Sequence, residues 1–247
     1  MSRDNKFVRS LIQSSLQGNS SSLEQLYNMN LPKIYTLILR LTANAETADK
    51  LTQDVLVEAW KQLGYLRDDA TFTSWISSIT VYQCLKYLRE NENPKHLDVA
   101  HLPSKDHLEK TILDLPKNER ISFILHYFEK YSIDEVADLL AVRNNEAQIF
   151  LEEGERIVAA KTPEIPSKEN LAENIKRIKV DITPKGNLIK QALTSIYRIK
   201  SEDEFKENFI SEQNEEEKTK DEKDAKDEEK GKKGFGGLLK KFLPKRK

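Results

Sequence analysis

The sequence predicts an all-α protein: two small helical domains joined by a linker, then a small C-terminal extension and a disordered charged tail. Three observations predict this. Apolar residues recur at intervals of three and four through residues 4–89, and again through 108–160. Between these tracts lies "ENENPKHLDVAHLPSKD" (residues 90–106), which has two prolines, mixed charge and no period. After Ser201 the chain becomes charge runs, acidic-rich through Glu229 and basic from Lys230 onward, with too little apolar surface to offset the entropy of ordering.

Each element has its own signal. Phe7, Val8, Leu11, Ile12 and Leu16 place a first helix over 4–17. "QGNSSS" interrupts it, and Ser20 or Ser21 suits the N-cap of the next, which carries Leu23, Leu26 and Tyr27. Pro32 is tolerated in the first turn of a helix, and Leu31, Ile34, Tyr35, Leu37, Ile38 and Leu41 read as the most buried helix of this domain. Ala48, Leu51, Val55 and Ala59 form the next stripe, widened by Leu56, Trp60 and Leu63, and leave Asp49, Gln53, Asp54 and Lys61 on the other side. Gly64 to Ala70 breaks the pattern. Phe72, Trp75, Ile76, Ile79, Leu85 and Leu88 then carry the last helix of the domain.

The second tract opens with Leu108, Ile112 and Leu115. Pro116 starts another helix, with Ile121, Ile124, Leu125 and Phe128 as its stripe. Ser132 caps "IDEVADLL", where Asp134 and Glu135 suit the positive end of the helix dipole. A short break, "AVRN", leads into "NEAQIFLEEGERIVAA", so the plan is helix, tight turn, helix. Over 161–200, "KRIKVDIT" alternates as a short strand would, and "NLIKQALTSIYRI" is an amphipathic helix.

Composition narrows the function classes. Charged residues make up 33% of the 247 and mean hydropathy is -0.66, so part of the chain lies outside any packed core. The lone cysteine, Cys84, excludes an intrachain disulfide and points to a reducing compartment. No stretch approaches the roughly 18 apolar residues of a membrane span, and the start lacks a signal-peptide pattern, so the expectation is a soluble, cytoplasmic protein. His96, His101 and His107 cluster in and beside the linker at spacings that fit no metal motif. No Gly-rich phosphate loop or nucleophile–base constellation is present, so no catalytic residue, cofactor or metal is assigned and no enzyme activity is expected.

Both tracts resemble the extracytoplasmic-function (ECF) class of bacterial RNA polymerase sigma factors. The resemblance rests on "LYNMNLPKIYTLILRLTANAETADKLTQDVLVEAWKQL", on "FTSWISSITVYQCLKYLRE" after the loop, and on "LPKNERISFILHYFEKYSIDEVADLLAV". It covers about residues 7–160 and implies a sigma region-2-like bundle over 1–90, a linker over 91–107 and a region-4-like helix-turn-helix over 108–160; the extension over 161–200 and the tail over 201–247 are read from composition alone. It also implies a transcription factor that binds the β′ subunit of core polymerase and directs it to promoters, with an anti-sigma factor as a further partner. Polymerase docking falls by resemblance on Asp49, Gln53 and Asp54. Promoter contacts of the first domain fall on Trp75, Tyr82, Lys86 and Arg89, and those of the helix-turn-helix on Arg143, Asn144, Asn145 and Gln148.

The DNA-contacting positions depart from that family. Thr73, Ser78 and Val81 stand where Arg or Lys is frequent, Tyr82 where Asn is usual, and Lys86 where an Asp is usual. In the second domain Gln148 and Phe150 replace basic residues, and Glu152, Glu153 and Glu155 occupy the phosphate-facing region. Ala141 replaces the usual turn glycine. Carboxylates repel phosphate, and phosphate neutralisation supplies much of DNA affinity. The alternative reading is therefore a sigma-like interaction protein that keeps the scaffold but no longer reads promoters. Last, Phe235, Leu238, Leu239 and Phe242 recur at helical spacing beside a polybasic end, which suits a peripheral contact with an anionic membrane or a partner.

Overall fold

The first tract folds because one long helix gives three others a surface to cover. In the computed structural model, which describes residues 3–67, 71–91, 106–162, 168–178, 182, 184 and 186–203, regular structure among the described residues is helical. Helix α1 is Arg3–Leu16, α2 is Ser20–Thr42, α3 is Ala45–Gln62 and α4 is Phe72–Glu90, with a single 3-10 turn at Leu63–Tyr65. Helix α2 packs against α1, α3 and α4. Its Leu26, Tyr27, Ile34, Ile38, Leu39 and Leu41 are almost completely removed from water, and the Tyr27 hydroxyl donates to the carbonyl of Leu56 in α3.

Asn19, rather than the serines after it, caps α2 and accepts from the Ser22 amide. The helix runs unbroken through Pro32. The proline lacks the amide that would bond the carbonyl of Asn28, and Asn28 is exposed, so water can serve that oxygen. Ala43 ends α2 in the left-handed region at φ 48°. Asn44 then caps α3 and Thr71 caps α4, each accepting from the amide three residues on.

The second tract forms α5 His107–Leu113, α6 Lys117–Tyr127, α7 Ile133–Leu140 and α8 Asn144–Lys161. Ala147, Leu151, Gly154 and Val158 line the buried side of α8, which packs against α5, α6 and α7. Gly154 lets α6 and α8 approach closely there: a Cβ would stand 3.3 Å from the Glu119 carbonyl of α6. Beyond α8 come α9 Lys168–Arg177 and a helix over residues 188–203. The expected strand "KRIKVDIT" does not form among the described residues: Lys176 and Arg177 end α9, Ile178 and Ile182 are irregular, and 179–181 and 183 lie outside the description. Leu171 and Ile175, buried four residues apart, favour helical over strand periodicity at its start.

Packing divides the chain into units Met1–Ser195 and Ile196–Lys247. Within the first, α2 packs directly on α6, so the two helical bundles meet face to face. The expected tail, with Phe235, Leu238, Leu239 and Phe242, lies outside the described residues, as does most of the linker.

Candidate functional site

Helix α3 carries the first candidate surface. Asp54 is exposed and Gln53 half-buried, with the Gln53 amide donating to the Asp49 carbonyl. Asp49 faces the other way. Its carboxylate sits against Tyr35, whose phenol is pushed up to about 12 by burial, then by the Asp49 charge and their hydrogen bond. One Asp49 oxygen is buried with no partner. Of the three predicted docking residues, Gln53 and Asp54 are therefore presented outward and Asp49 is turned toward α2.

Helix α4 carries the second surface. Trp75, Tyr82, Lys86 and Arg89 are spaced seven, four and three residues apart, which sets them on one face of an α-helix along roughly 20 Å. Tyr82 is 60% exposed, and Lys86 and Arg89 are exposed at the end of the helix. Trp75 is half-buried, its ring tilted against Phe72 with centroids 5.5 Å apart. It thus packs against the bundle while staying partly open to solvent. No described residue forms an ion pair with Lys86 or Arg89, so an aromatic–cation stripe faces solvent.

The helix-turn-helix is built as its sequence suggests and charged otherwise. Ser132 and Glu135 form a reciprocal capping box at the start of α7. The amide and hydroxyl of Ser132 hold the Glu135 carboxyl below its ordinary value. Ala141 makes the turn at φ 56° and Arg143 leads into α8. The predicted readers Arg143, Asn144, Asn145 and Gln148 are all exposed at the first turns of α8. Three of them are engaged by carboxylates. Arg143 forks onto Glu146 at 3.3 and 3.4 Å, Asn144 donates to Asp134 at 2.6 Å, and Gln148 donates to Glu152 at 2.7 Å. Farther along, Arg156 forks onto Glu153 at 2.6 and 2.8 Å. These pairings raise both arginines and lower both glutamates from their ordinary values. Glu155, read from sequence as phosphate-facing, is instead buried and accepts from the Tyr127 hydroxyl.

Sequence reasoning missed the charged residues between the bundles. Arg40 of α2 and Glu109 of α5 form a doubly hydrogen-bonded pair, both contacts at 2.8 Å. Arg120 and Lys117 of α6 reach carbonyls at the ends of α2 and α4. The one available signal was a lone arginine in the apolar run "IYTLILRL". Of the clustered histidines, His107 bonds the Lys161 carbonyl, and His96 and His101 lie outside the described residues. Among the described residues no helix is long and apolar enough to cross a membrane.

Residues 26–93, spanning most of α2 and all of α3 and α4, match the family described as Sigma-70 region 2. The chain is 25% identical over 142 residues to the ECF RNA polymerase sigma factor SigM of Mycobacterium tuberculosis, covering 53% of this chain and 72% of that one. It is 23% identical over 155 residues to the RNA polymerase sigma-H factor of Pseudomonas aeruginosa, covering 53% and 80%. It is 18% identical over 160 residues to the ECF RNA polymerase sigma factor SigW of Bacillus subtilis, covering 55% and 86%. Among solved structures, it is similar to the sigma factor RpoE crystallised with the anti-sigma factor NepR from Bartonella quintana. That match has 18% identity and a TM-score of 0.42, covering 56% of this chain and 95% of that one.

Proposed function

We propose that this chain, a relative of the ECF RNA polymerase sigma factors that carries a Sigma-70 region 2 unit, binds core polymerase and brings it to promoters without chemistry of its own. The observation that carries the reading is the family match over residues 26–93, because the matched helices bear both the outward Gln53–Asp54 edge and the α4 stripe. In this reading residues 1–90 work as region 2 and 108–160 as region 4. Gln53 and Asp54 meet the β′ subunit. Tyr82 and the half-exposed Trp75 offer ring surface to unpaired promoter bases while Lys86 and Arg89 hold phosphates, a combination suited to single strands.

The pairing of α8 favours a second version of the same role. Arg143 and Arg156 are each neutralised by a glutamate one turn away, and Gln148 is held by Glu152. A recognition helix so arranged contributes few phosphate contacts. The protein then joins polymerase as an adaptor or competitor and initiates poorly on its own.

Co-purification of the tagged full chain with core polymerase tests the reading. Asp54→Arg is expected to cut recovery of polymerase subunits at least tenfold with helicity unchanged; equal recovery would remove the docking assignment. Run-off transcription with core enzyme separates the two versions: specific transcripts support promoter direction, and binding without transcripts supports the adaptor.

A further inference from the structure

Helix α1 and the 3-10 turn after α3 enclose a cleft that neither the Gln53–Asp54 edge nor the α4 stripe uses. Arg9, Ile12 and Leu16 recur three and four residues apart on one face of α1 and meet Leu63, Leu66 and Arg67 across the gap. The cleft holds about 230 Å³ and is half open to solvent. Leu63 is buried, Ile12 and Leu66 are half-buried, and Leu16 is 55% exposed. Among the described residues the lining thus has an aliphatic body, two cations and no acid. Residues 5–23, which include most of α1, hold Lys6 and Arg9 and no acid either. Both lining arginines also interact within the chain, but a guanidinium has five N–H donors, so a single partner does not saturate it.

Gly64 keeps this cleft open. A Cβ added there would stand 3.9 Å from the Leu16 Cδ2, an ordinary contact. The Gly64 backbone lies outside the left-handed region, so its conformation does not call for glycine. Any longer side chain at this position would point toward Leu16 and occupy the gap that the glycine leaves.

Size and chemistry together select the occupant. Pockets that bury drug-sized ligands hold about 300–1,000 Å³, so a half-open cleft of about 230 Å³ is small for one. It has room for one or two apolar side chains offered by another protein surface. A phosphate would use the arginines and leave the leucines wet. Tyrosine and arginine are enriched at protein–protein contacts, and Tyr65, in the same 3-10 turn, is 83% exposed.

We propose that this cleft docks an acidic amphipathic helix of a protein partner: apolar side chains one turn apart fill the space between Ile12, Leu16, Leu63 and Leu66, and flanking carboxylates pair with Arg9 and Arg67. None of these residues belongs to the polymerase or promoter contacts, so the inference stands apart from the function proposed above.

The test is a titration with the full chain. The probe is a fluorescein-labelled peptide of ~18 residues, long enough to be helical in water, with leucines at i, i+3, i+4 and i+7 and glutamates beside them. Anisotropy is expected to report saturable binding. Arg67→Glu and Gly64→Leu should each weaken it by about tenfold or more. Lys50→Glu makes the same charge change at an exposed site of α3, roughly 20 Å along the helix from Leu63, and should bind as the parent does. Absence of binding by the parent would overturn the proposal, and so would unchanged binding by Gly64→Leu. Should Gly64→Leu lose helicity, Leu16→Glu, at an exposed site, decides by the same criterion. Equal binding of a peptide with alanines for the leucines would reduce the contact to charge, and equal binding of one with lysines for the glutamates would remove the charge argument; either sinks the proposal. Displacement of the peptide by a single-stranded oligonucleotide whose own binding Gly64→Leu abolishes would make the cleft a nucleic-acid site instead. Self-association of the parent that Gly64→Leu abolishes, read by sedimentation, would seat a second copy there and overturn the partner. A parent that binds the peptide and ignores core polymerase would overturn the preceding section alone.

Discussion

Helices α4 and α8 are of nearly equal length and both expose a polar face, yet they present opposite electrostatics. On α4, Lys86 and Arg89 stand beside an exposed tyrosine and have no described carboxylate against them. On α8, both arginines fold back onto glutamates three residues away. The difference lies in the acids: α4 carries one, Glu90 at its last position, which forms no ion pair with Lys86, whereas α8 carries four. An Arg with Glu three positions later, or a Glu with Arg three later, closes an ion pair within one turn. Such a pair adds little stability on an exposed surface, yet it removes the cation from service to phosphate. Shape and charge therefore separate in this protein: the helix-turn-helix keeps its caps and turn, while its charge suits DNA poorly.

The largest expected effect comes from undoing that pairing. Glu146→Gln, Glu152→Lys and Glu153→Lys together free two arginines and add two lysines. Each new phosphate contact steepens the salt dependence by about 0.9 in log–log slope. Duplex affinity at low salt should rise by about one to two orders of magnitude, read by fluorescence anisotropy against salt. An unchanged slope would show that α8 does not face the duplex. Next in size is Tyr82→Ala on α4. Loss of one stacking platform removes about 1–3 kcal/mol from single-strand binding, so affinity for an oligonucleotide should fall by about five- to a hundredfold with duplex binding unaltered.

Much of this contrast was legible before any coordinates. The stripes of α3 and α4, the Ser132 cap and the glutamates of α8 follow from periodicity and residue type, both of which act locally. The pairing partners were partly legible, since three- and four-residue spacing fixes them. The contact between the bundles was not. Arg40 stands out as a lone charge in an apolar run, but no spacing names its partner Glu109, 69 positions away. Asp49 was misleading for the same reason, because Tyr35 turns it inward from another helix. Helical spacing says which residues share a face, and only tertiary packing says what that face meets.

A smaller effect tests the frame that α8 hangs on. Ser132→Ala removes one side of the capping box and should cost about 1 kcal/mol in chemical denaturation. The acid limb carries a second signature. Glu135 is held below the ordinary carboxyl value of 4.5 in the folded chain, so its contribution is full above the unfolded value and is lost as pH falls through the lower folded one. Glu135→Gln should therefore flatten the decline of stability below about pH 4.5. A curve that still parallels the parent's there would place the acid sensitivity elsewhere.

The smallest effect compares two alanines that hold the same backbone angles. Ala43 ends α2 and Ala141 ends α7, at φ 48° and 56°. A Cβ in this region costs roughly 1–2 kcal/mol, which glycine avoids, while glycine also loosens the unfolded chain by about 0.4–1 kcal/mol. At Ala141, which is exposed, those terms leave a net gain near 0.5–1 kcal/mol for Ala141→Gly. At Ala43, 4% exposed, the methyl is also packed. Its removal forfeits about 0.8 kcal/mol of burial, so Ala43→Gly should be close to neutral. Denaturant midpoints of the two variants, read side by side, separate backbone strain from packing. Equal gains at both sites would mean that the Ala43 methyl contributes nothing to the core, and no gain at Ala141 would mean that the turn of the helix-turn-helix is not strained.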